Sequence, residues 1–308
     1  MSSLFRTSHS TWTSVRNKVT PDATISTLVI LGNCFDVDNR HPFRKQTVKR
    51  CHRRMSRPAR NIVVLGSTGS IGSSTLDVAV SSQGRLRVMG IAAHRSCGQL
   101  LEQARATKPR WVVVTDEQAG RRFDWRGLPA ETELLLGSDA IEQMVADVSV
   151  DVVVASIVGS AGLDGAWSAV QHGKTLALAN KETLVMAGSL VTRAAERSGA
   201  TIIPVDSEHS AVFQALQAGR RQDLKRVILT ASGGPFRDLP LEALQDVTVS
   251  QALNHPTWEM GPKITVDSAT MMNKALEIIE ARWLFELDPA QIEVVVHPQS
   301  VVHSLVEF

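Results

Sequence analysis

Five short β-branched runs constrain this chain more than any other feature. They are Asn61-Ile-Val-Val-Leu65, Arg87-Val-Met-Gly-Ile-Ala-Ala93, Trp111-Val-Val-Val-Thr115, Asp151-Val-Val-Val-Ala155 and Thr175-Leu-Ala-Leu-Ala179. The runs at 111, 151 and 175 read as strands, the first two apolar on both faces as in a buried parallel sheet. Helix-compatible stretches, Ser73–Val80, Glu142–Ala146 and Gly165–Val170, lie between them. Strands alternating with helices predict a doubly wound α/β sheet. No internal repeat or low-complexity linker interrupts the pattern.

The first run leads into Gly66-Ser-Thr-Gly-Ser-Ile-Gly72 and then into a helical stretch. Strand, glycine turn and helix in that order can seat a pyrophosphate at a helix N-terminus. The spacing is not that of the commonest dinucleotide turn, and a plain βα turn is the alternative. The second run ends in His94-Arg95-Ser96. An acid there would favour the free ribose hydroxyl of NAD. A cation with a hydroxyl suits a 2′-phosphate, hence NADP, unless Arg95 is only a solvated surface residue.

Acids dominate the next informative stretch, Pro204-Val-Asp-Ser-Glu-His-Ser210, which follows the apolar run Thr201–Val205. On an extended chain Asp206 and Glu208 would share one side. Two acids so placed repel each other unless a cation lies between them, and a hard divalent metal prefers such oxygen ligands. After the strand-like Arg226–Thr230, the loop Ala231-Ser-Gly-Gly-Pro235 offers a hydroxyl and free N–H groups to an oxyanion, or is an ordinary turn. Asp267 or Ser268 reads as the N-cap of a helix. On it Asn273 and Glu277 stand four apart, and Lys274 and Glu277 three apart, so the three converge on one side. A Lys–Glu surface pair is the plainer account of that spacing. His255-Pro-Thr-Trp-Glu-Met-Gly-Pro262 has no regular period and reads as a binding loop, with a mobile lid over substrate as the further reading.

Charge is uneven. Residues 1–60 hold 12 Lys/Arg and 3 Asp, a net of +9, while residues 61–308 carry −7. An acidic body excludes bulk attraction of nucleic acid, so no nucleic-acid partner is expected. Cys34, Cys51 and Cys97 form neither a disulfide framework nor a zinc spacing, which points to a reducing compartment. No apolar run reaches a membrane span of roughly 20 residues. The basic segment 1–57 is expected to be a disordered extension or the product of an upstream start, with Met55 as the true beginning; a transit peptide is the third reading.

In combination, GSTGSIG, LANKETLV, PVDSEHSA, ASGGPF, HPTWEMGPKITVDSATMMNKALEIIEARWLF and HPQSVVHS resemble the 1-deoxy-D-xylulose 5-phosphate reductoisomerase family, from about Asn61 to Phe308. The resemblance implies a Rossmann-like NADP-binding domain over 58–205 and an α+β catalytic domain with a mostly open sheet over 206–308. It implies NADPH against Thr68, Gly69, Ser70 and Ile71, with Arg95 and Ser96 at the 2′-phosphate and Asn180, Glu182 and Gly261 nearby. Asp206, Glu208 and Glu277 would bind Mg2+ or Mn2+. Lys181 and Ser207 would meet the substrate hydroxyl and carbonyl region. Ser232, Ser268, Asn273 and Lys274 would hold a sugar phosphate, with His255 closing over it and Trp258 covering it. Lys181, Asp206, Glu208, His255 and Glu277 would carry the catalysis.

A homodimer in a bacterial cytoplasm is expected, a plastid-type organelle being the weaker alternative. Two departures stand out: His94-Arg95-Ser96 replaces a Gly, Lys or Arg, Asn pattern, and Ala275 replaces a frequent Gly. The family also continues into a helical C-terminal part, so a truncated copy that only binds nucleotide is one alternative. Another NADP-dependent dehydrogenase, needing no carboxylate set, is the second.

Overall fold

The computed structural model describes residues 29–32 and 59–308. The expectations for residues 1–57 lie outside the described residues, except for a short strand β1 at Val29–Gly32.

Seven strands form one parallel sheet: β2 (Arg60–Leu65), β3 (Leu86–Ala93), β4 (Trp111–Val114), β5 (Glu133–Leu136), β6 (Val152–Ala155), β7 (Thr175–Leu178) and β8 (Thr201–Pro204). Their order is β5-β4-β3-β2-β6-β7-β8, and every neighbouring pair is parallel. Side chains alternate between two cores, as the period of a strand requires. Val63, Leu65, Val113, Val153 and Leu176 face helices α4 (Asp139–Ala146), α5 (Leu163–Gln171) and α6 (Lys181–Ser198). Ile62, Val64, Val112 and Val114 face α1 (Ser70–Ser81), α2 (Cys97–Thr107) and α3 (Glu117–Arg122). Both faces are therefore covered, which is why these strands read as unbroken apolar runs. Each such buried side chain contributes about 1.5–3 kcal/mol.

The chain leaves β2 in one direction through β3, β4 and β5, then returns to β2's other side with β6, β7 and β8. That reversal opens a crevice beyond the carboxyl ends of β2 and β6. The glycine turn sits there. Gly66 has φ of +80°, and a Cβ on it would lie 2.8 Å from the Ser156 carbonyl oxygen. A Cβ on Gly72 would lie 2.3 Å from the Gly66 carbonyl oxygen, so only hydrogen fits as α1 closes onto the turn.

A second, mixed sheet uses β9 (Arg226–Ala231), β10 (Ile292–Val296) and β11 (Val302–Glu307). Its order is β1-β11-β9-β10, with β9 and β10 parallel and β11 antiparallel to its neighbours. Two helices, α7 (Ser207–Ala215) and α10 (Met272–Leu284), pack on it through Val212, Ala215, Ala281 and Phe285.

Two local readings are corrected. Asp206 and Glu208 do not share an extended strand: β8 ends at Pro204, Asp206 caps α7 and Glu208 lies in its first turn. The Asp side chain satisfies an orphan N–H of the helix start, which outweighs continuation of the strand. Asp267 and Ser268 are not an N-cap either. They lie inside a separate helix, α9 (Pro262–Ala269), which follows the short α8 (Val249–Ala252); proline opens α9 and Asp267 pairs with Lys263 at 2.8 Å. Met271, with φ of +60°, stands at the N-cap of α10. No described helix is long and apolar enough to cross a membrane.

Candidate metal and substrate site

Three helices and one strand deliver a buried charged cluster. Asn180 caps α6, its Oδ1 accepting from Thr183 N at 2.8 Å, and this sets Lys181 at the first helical position. Asp206 caps α7, Oδ1 accepting from Glu208 N at 3.2 Å. Helix α10 brings Asn273, Lys274, Glu277 and Glu280 along one face, the last three buried. Strand β11 adds His303.

The Lys181 ammonium donates to Asp206 Oδ2, lies 3.2 Å from Glu277 Oε1 and 3.8 Å from Glu280 Oε2. Lys274 donates to Glu277 Oε2, and Asn273 Nδ2 donates to Glu277 Oε1 at 2.5 Å. Ser207 Oγ donates to Glu208, whose Oε1 is 3.3 Å from His303 Nδ1. One carboxylate oxygen each from Asp206, Glu208 and Glu277 falls within 4.8 Å of the others. The three acids, from two distant segments, thus meet at one point.

Burial and charge set the protonation pattern. Burial disfavours the Lys181 ammonium, but Asp206, Glu277 and Glu280 around it outweigh burial and raise its pKa. Burial likewise pushes Asp206 up, yet Lys181 and His209 hold it below the usual carboxylate range. For Glu277 burial wins, reinforced by the Asp206 charge and opposed by Lys181, and its pKa rises to about 7. Glu280 is raised by burial to about 8. His303 is raised by its hydrogen bond to Glu208.

His209 is fully buried beneath the cluster, and burial lowers its pKa. Its Nε2 is 3.0 Å from the Glu277 carbonyl oxygen, an acceptor, so that nitrogen carries the proton. The Nδ1 lone pair then faces Glu280 Oε2 at 3.8 Å, and neither atom has a hydrogen-bond partner among the described residues. A protonated Glu280 is the state that suits this pairing. His209, Glu280 and His303 escaped the sequence reading. Glu280 carried a signal, since it lies three residues after Glu277 on the same helical face.

The donor set fits a hard divalent cation. All three donors are carboxylate oxygens. Even with Glu280 neutral, three carboxylates meet two ammonium groups, which leaves a formal negative charge.

The other expected residues divide into separate groups. Ser232 and His255 meet at 3.0 Å. Backbone N–H groups of Thr257 and Trp258 donate to His255 Nδ1, so its proton sits on Nε2, facing Ser232. Burial and the nearby Arg237 lower the His255 pKa. Trp258 is exposed beside it, and the loop from Leu253 to Met260 borders an open cavity of about 320 Å³ with Thr265. Ser268 lies against the Ala231–Pro235 loop: a Cβ on Gly234 would be 2.5 Å from its carbonyl oxygen. Asn273 and Lys274, expected at the phosphate, point to Glu277 instead. No hydrogen bond joins them to Ser232 or His255 among the described residues.

On the nucleotide side, Thr68 is half-buried and Gly69, Ser70 and Ile71 are exposed at the start of α1. Gly69 is the N-cap and no side chain caps that terminus, so its N–H groups are open to an anion. Arg95 and Ser96 are exposed past β3. Asn180 is buried, and its Nδ2 donates to the Ile157 and Gly159 carbonyls at 2.7 and 2.9 Å, tying down the loop after β6. Glu182 pairs with Lys263 on α9, next to the exposed Gly261. That Lys263 contact outweighs the effect of burial and holds the Glu182 carboxyl below its usual range.

Comparison with known proteins gives a consistent result. Residues 62–188 match the family profile described as 1-deoxy-D-xylulose 5-phosphate reductoisomerase, and residues 202–285 match that of its C-terminal domain. The chain is 50% identical over 256 residues to the 1-deoxy-D-xylulose 5-phosphate reductoisomerase of Nitrosospira multiformis, covering 81% of this chain and 65% of that protein. It is 52% identical over 253 residues to that of Heliobacterium modesticaldum, covering 81% and 64%. A crystal structure of DOX-P reductoisomerase in complex with NADPH, fosmidomycin and magnesium superposes with a TM-score of 0.76 at 43% identity, over 81% of this chain and 64% of that one. The Zymomonas mobilis protein in complex with NADPH gives 0.74 at 42% identity, over 82% and 65%. The chain thus spans just under two thirds of the length of the curated relatives it matches.

Proposed function

The chain belongs to the 1-deoxy-D-xylulose 5-phosphate reductoisomerase family, and on that premise we propose that it converts 1-deoxy-D-xylulose 5-phosphate to 2-C-methyl-D-erythritol 4-phosphate with NADPH and Mg2+ or Mn2+. The observation that carries this reading is the meeting of Asp206, Glu208 and Glu277 within 4.8 Å, beside Lys181. These three would hold the cation, which when bound supplies Lewis-acid polarisation of a carbonyl oxygen. NADPH would lie along the glycine turn at the start of α1 and supply the hydride.

The chain's own groups do the rest. Lys181 keeps its proton at neutral pH because acids surround it, so its ammonium can donate to a substrate oxygen beside Asp206. Ser207 holds its hydroxyl at Glu208 and can turn to a substrate hydroxyl. The Ser232 hydroxyl would donate to a phosphate, and the Nε2–H of His255 would be a second donor on leaving Ser232, with Trp258 on the same loop to exclude water. Ser268, Asn273 and Lys274 are the further phosphate residues of this reading, and Asn273 and Lys274 must then exchange Glu277 for the ligand. Small-residue packing at the turn would leave Thr68, Gly69, Ser70 and Ile71 for the pyrophosphate. Arg95 and Ser96 would face the 2′-phosphate, and Asn180, Glu182 and Gly261 would border the cofactor.

Strand β10 is one of the two edges of the second sheet among the described residues, with Val294 and Val296 exposed. That edge supports a homodimer formed by two copies of the chain. Sedimentation across a concentration series tests it, and a monomer at every concentration would remove it.

The central test uses the purified chain. Mn2+ binding is followed by electron paramagnetic resonance, and substrate turnover by loss of NADPH absorbance. Asp206→Asn is expected to abolish both while leaving NADPH affinity nearly unchanged. Equal loss of metal and nucleotide binding would show that the acids are not a separate metal site. Mn2+ binding without turnover would limit the chain to a ligand-binding role.

A further inference from the structure

Arg95 stands past the carboxyl end of β3, one strand away from the glycine turn that closes β2. Its side chain is 71% exposed, yet it is not free to wander, because its Nε donates to Asp116 Oδ2 at 2.5 Å. Asp116 is only 17% exposed, and its other oxygen caps α3 by accepting from Ala119 N at 2.9 Å. The preceding pair repeats the pattern, with His94 Nδ1 2.9 Å from Thr115 Oγ1. Thr115-Asp116, at the end of β4, therefore ties down both basic residues that follow β3. His94 is a position where this chain departs from the pattern it otherwise resembles, while Arg95 keeps that pattern's basic residue.

A guanidinium gripped at Nε keeps both terminal nitrogens for another partner. No described residue accepts from either of them. Those two nitrogens form the fork that binds a phosphate in bidentate fashion. We propose that Asp116 is a positioning residue for nucleotide selection: through Nε it aims the open fork of Arg95 at the 2′-phosphate of NADP(H). The proposal rests on the dinucleotide reading of the glycine turn given above. The pairing also explains why an acid can sit beside an anion site. Its charge is already engaged by the Ala119 N–H and by Arg95, which together hold the Asp116 carboxyl below its ordinary range.

The test is equilibrium binding of NADPH, NADH and 2′,5′-ADP to the purified chain, without metal or sugar phosphate, read by quenching of tryptophan fluorescence. Asp116→Asn keeps the helix cap but turns an amide toward Arg95, and Asp116→Ser is a second capping variant that lacks reach. Pre-ordering one long side chain is worth about three- to tenfold in affinity. Both variants should weaken NADPH and 2′,5′-ADP by about that factor and leave NADH unchanged. In an Arg95→Ala background, Asp116→Asn should have no further effect.

Three results would overturn the proposal. NADPH affinity could hold or tighten in Asp116→Asn, making the acid a bystander or an opponent of the anion. NADH could weaken by the same factor, making the role structural. Asp116→Asn could act equally in the Arg95→Ala background, removing the coupling. A wild-type chain that binds NADH as well as NADPH would instead refute the NADP reading itself, and the two failures are thereby told apart.

Discussion

Replacing Gly188 by alanine should damage the candidate metal site from a distance. Gly188 lies in α6 beside Ala187, whose φ of −135° kinks the helix. A Cβ at 188 would sit 2.3 Å from Trp283 Cδ1 and 2.5 Å from Cγ and Nε1. Carbon atoms pack at about 3.5–4.0 Å, so the indole must retreat by about 1.2 Å. Three ring atoms are too close at once, so a small rotation cannot clear them all. Trp283 is on α10, one turn beyond Glu280 and two beyond Glu277. The added methyl therefore pushes the helix that carries a candidate metal ligand away from the helix that carries Lys181.

Overpacking costs about 1–3 kcal/mol, and alanine returns about 1 kcal/mol of helix propensity. The net loss should stay below about 2 kcal/mol, so the chain still folds. Metal geometry is less forgiving, tolerating about 0.2 Å in ligand distance. Mn2+ affinity should fall on the order of tenfold, as it does when an outer support of a metal ligand is lost. Titration calorimetry with Mn2+ and urea unfolding measure the two quantities separately. Gly188→Ala with Trp283→Leu should recover much of the Mn2+ affinity. If Gly188→Ala lost stability while binding Mn2+ like wild type, packing of α6 on α10 would not be what places Glu277.

Other expectations follow from the same contacts. Glu280 has its pKa raised to about 8, so its contribution is complete below the ordinary carboxylate value and is lost as pH rises through 8. Glu280→Gln, a neutral mimic, should therefore gain on wild type between pH 5 and 8, on the order of 1–3 kcal/mol at the upper end. Urea unfolding of the metal-free proteins checks this, and a gap independent of pH would contradict it. Lys263→Met removes the exposed bridge to Glu182 and Asp267 and should cost no more than about 1 kcal/mol, seen as a small drop in Tm. Leu100→Ala, fully buried between α2 and the sheet, should cost about 2–5 kcal/mol by the same unfolding assay.

Strand positions in the large sheet were legible because they depend on local chemistry. Val112, Val113 and Val114 are apolar in succession because helices cover both faces, and that property is written residue by residue. The glycine turn was legible for a similar reason: close backbone approach excludes every other side chain. Strand β5 and the opening of α9 were less so. Leu134, Leu135 and Leu136 are only half-buried, and Asp267 looks like a cap wherever it stands.

The cluster was legible in part. Asp206 and Glu208 announced themselves by spacing, although a helix cap and not a strand face brings them together. Glu277 belonged with them only through resemblance, because 69 residues of chain separate it from Glu208 and no local rule spans that gap. Glu280 carried only its spacing from Glu277, and His209 and His303 were silent, since a histidine or glutamate looks alike in sequence whether it is solvated or buried. Their protonation depends on how many charges lie within a few ångströms and how much water is excluded. Those quantities exist only after α6, α7, α10 and β11 have packed, and that packing sets the chemistry the acids can do.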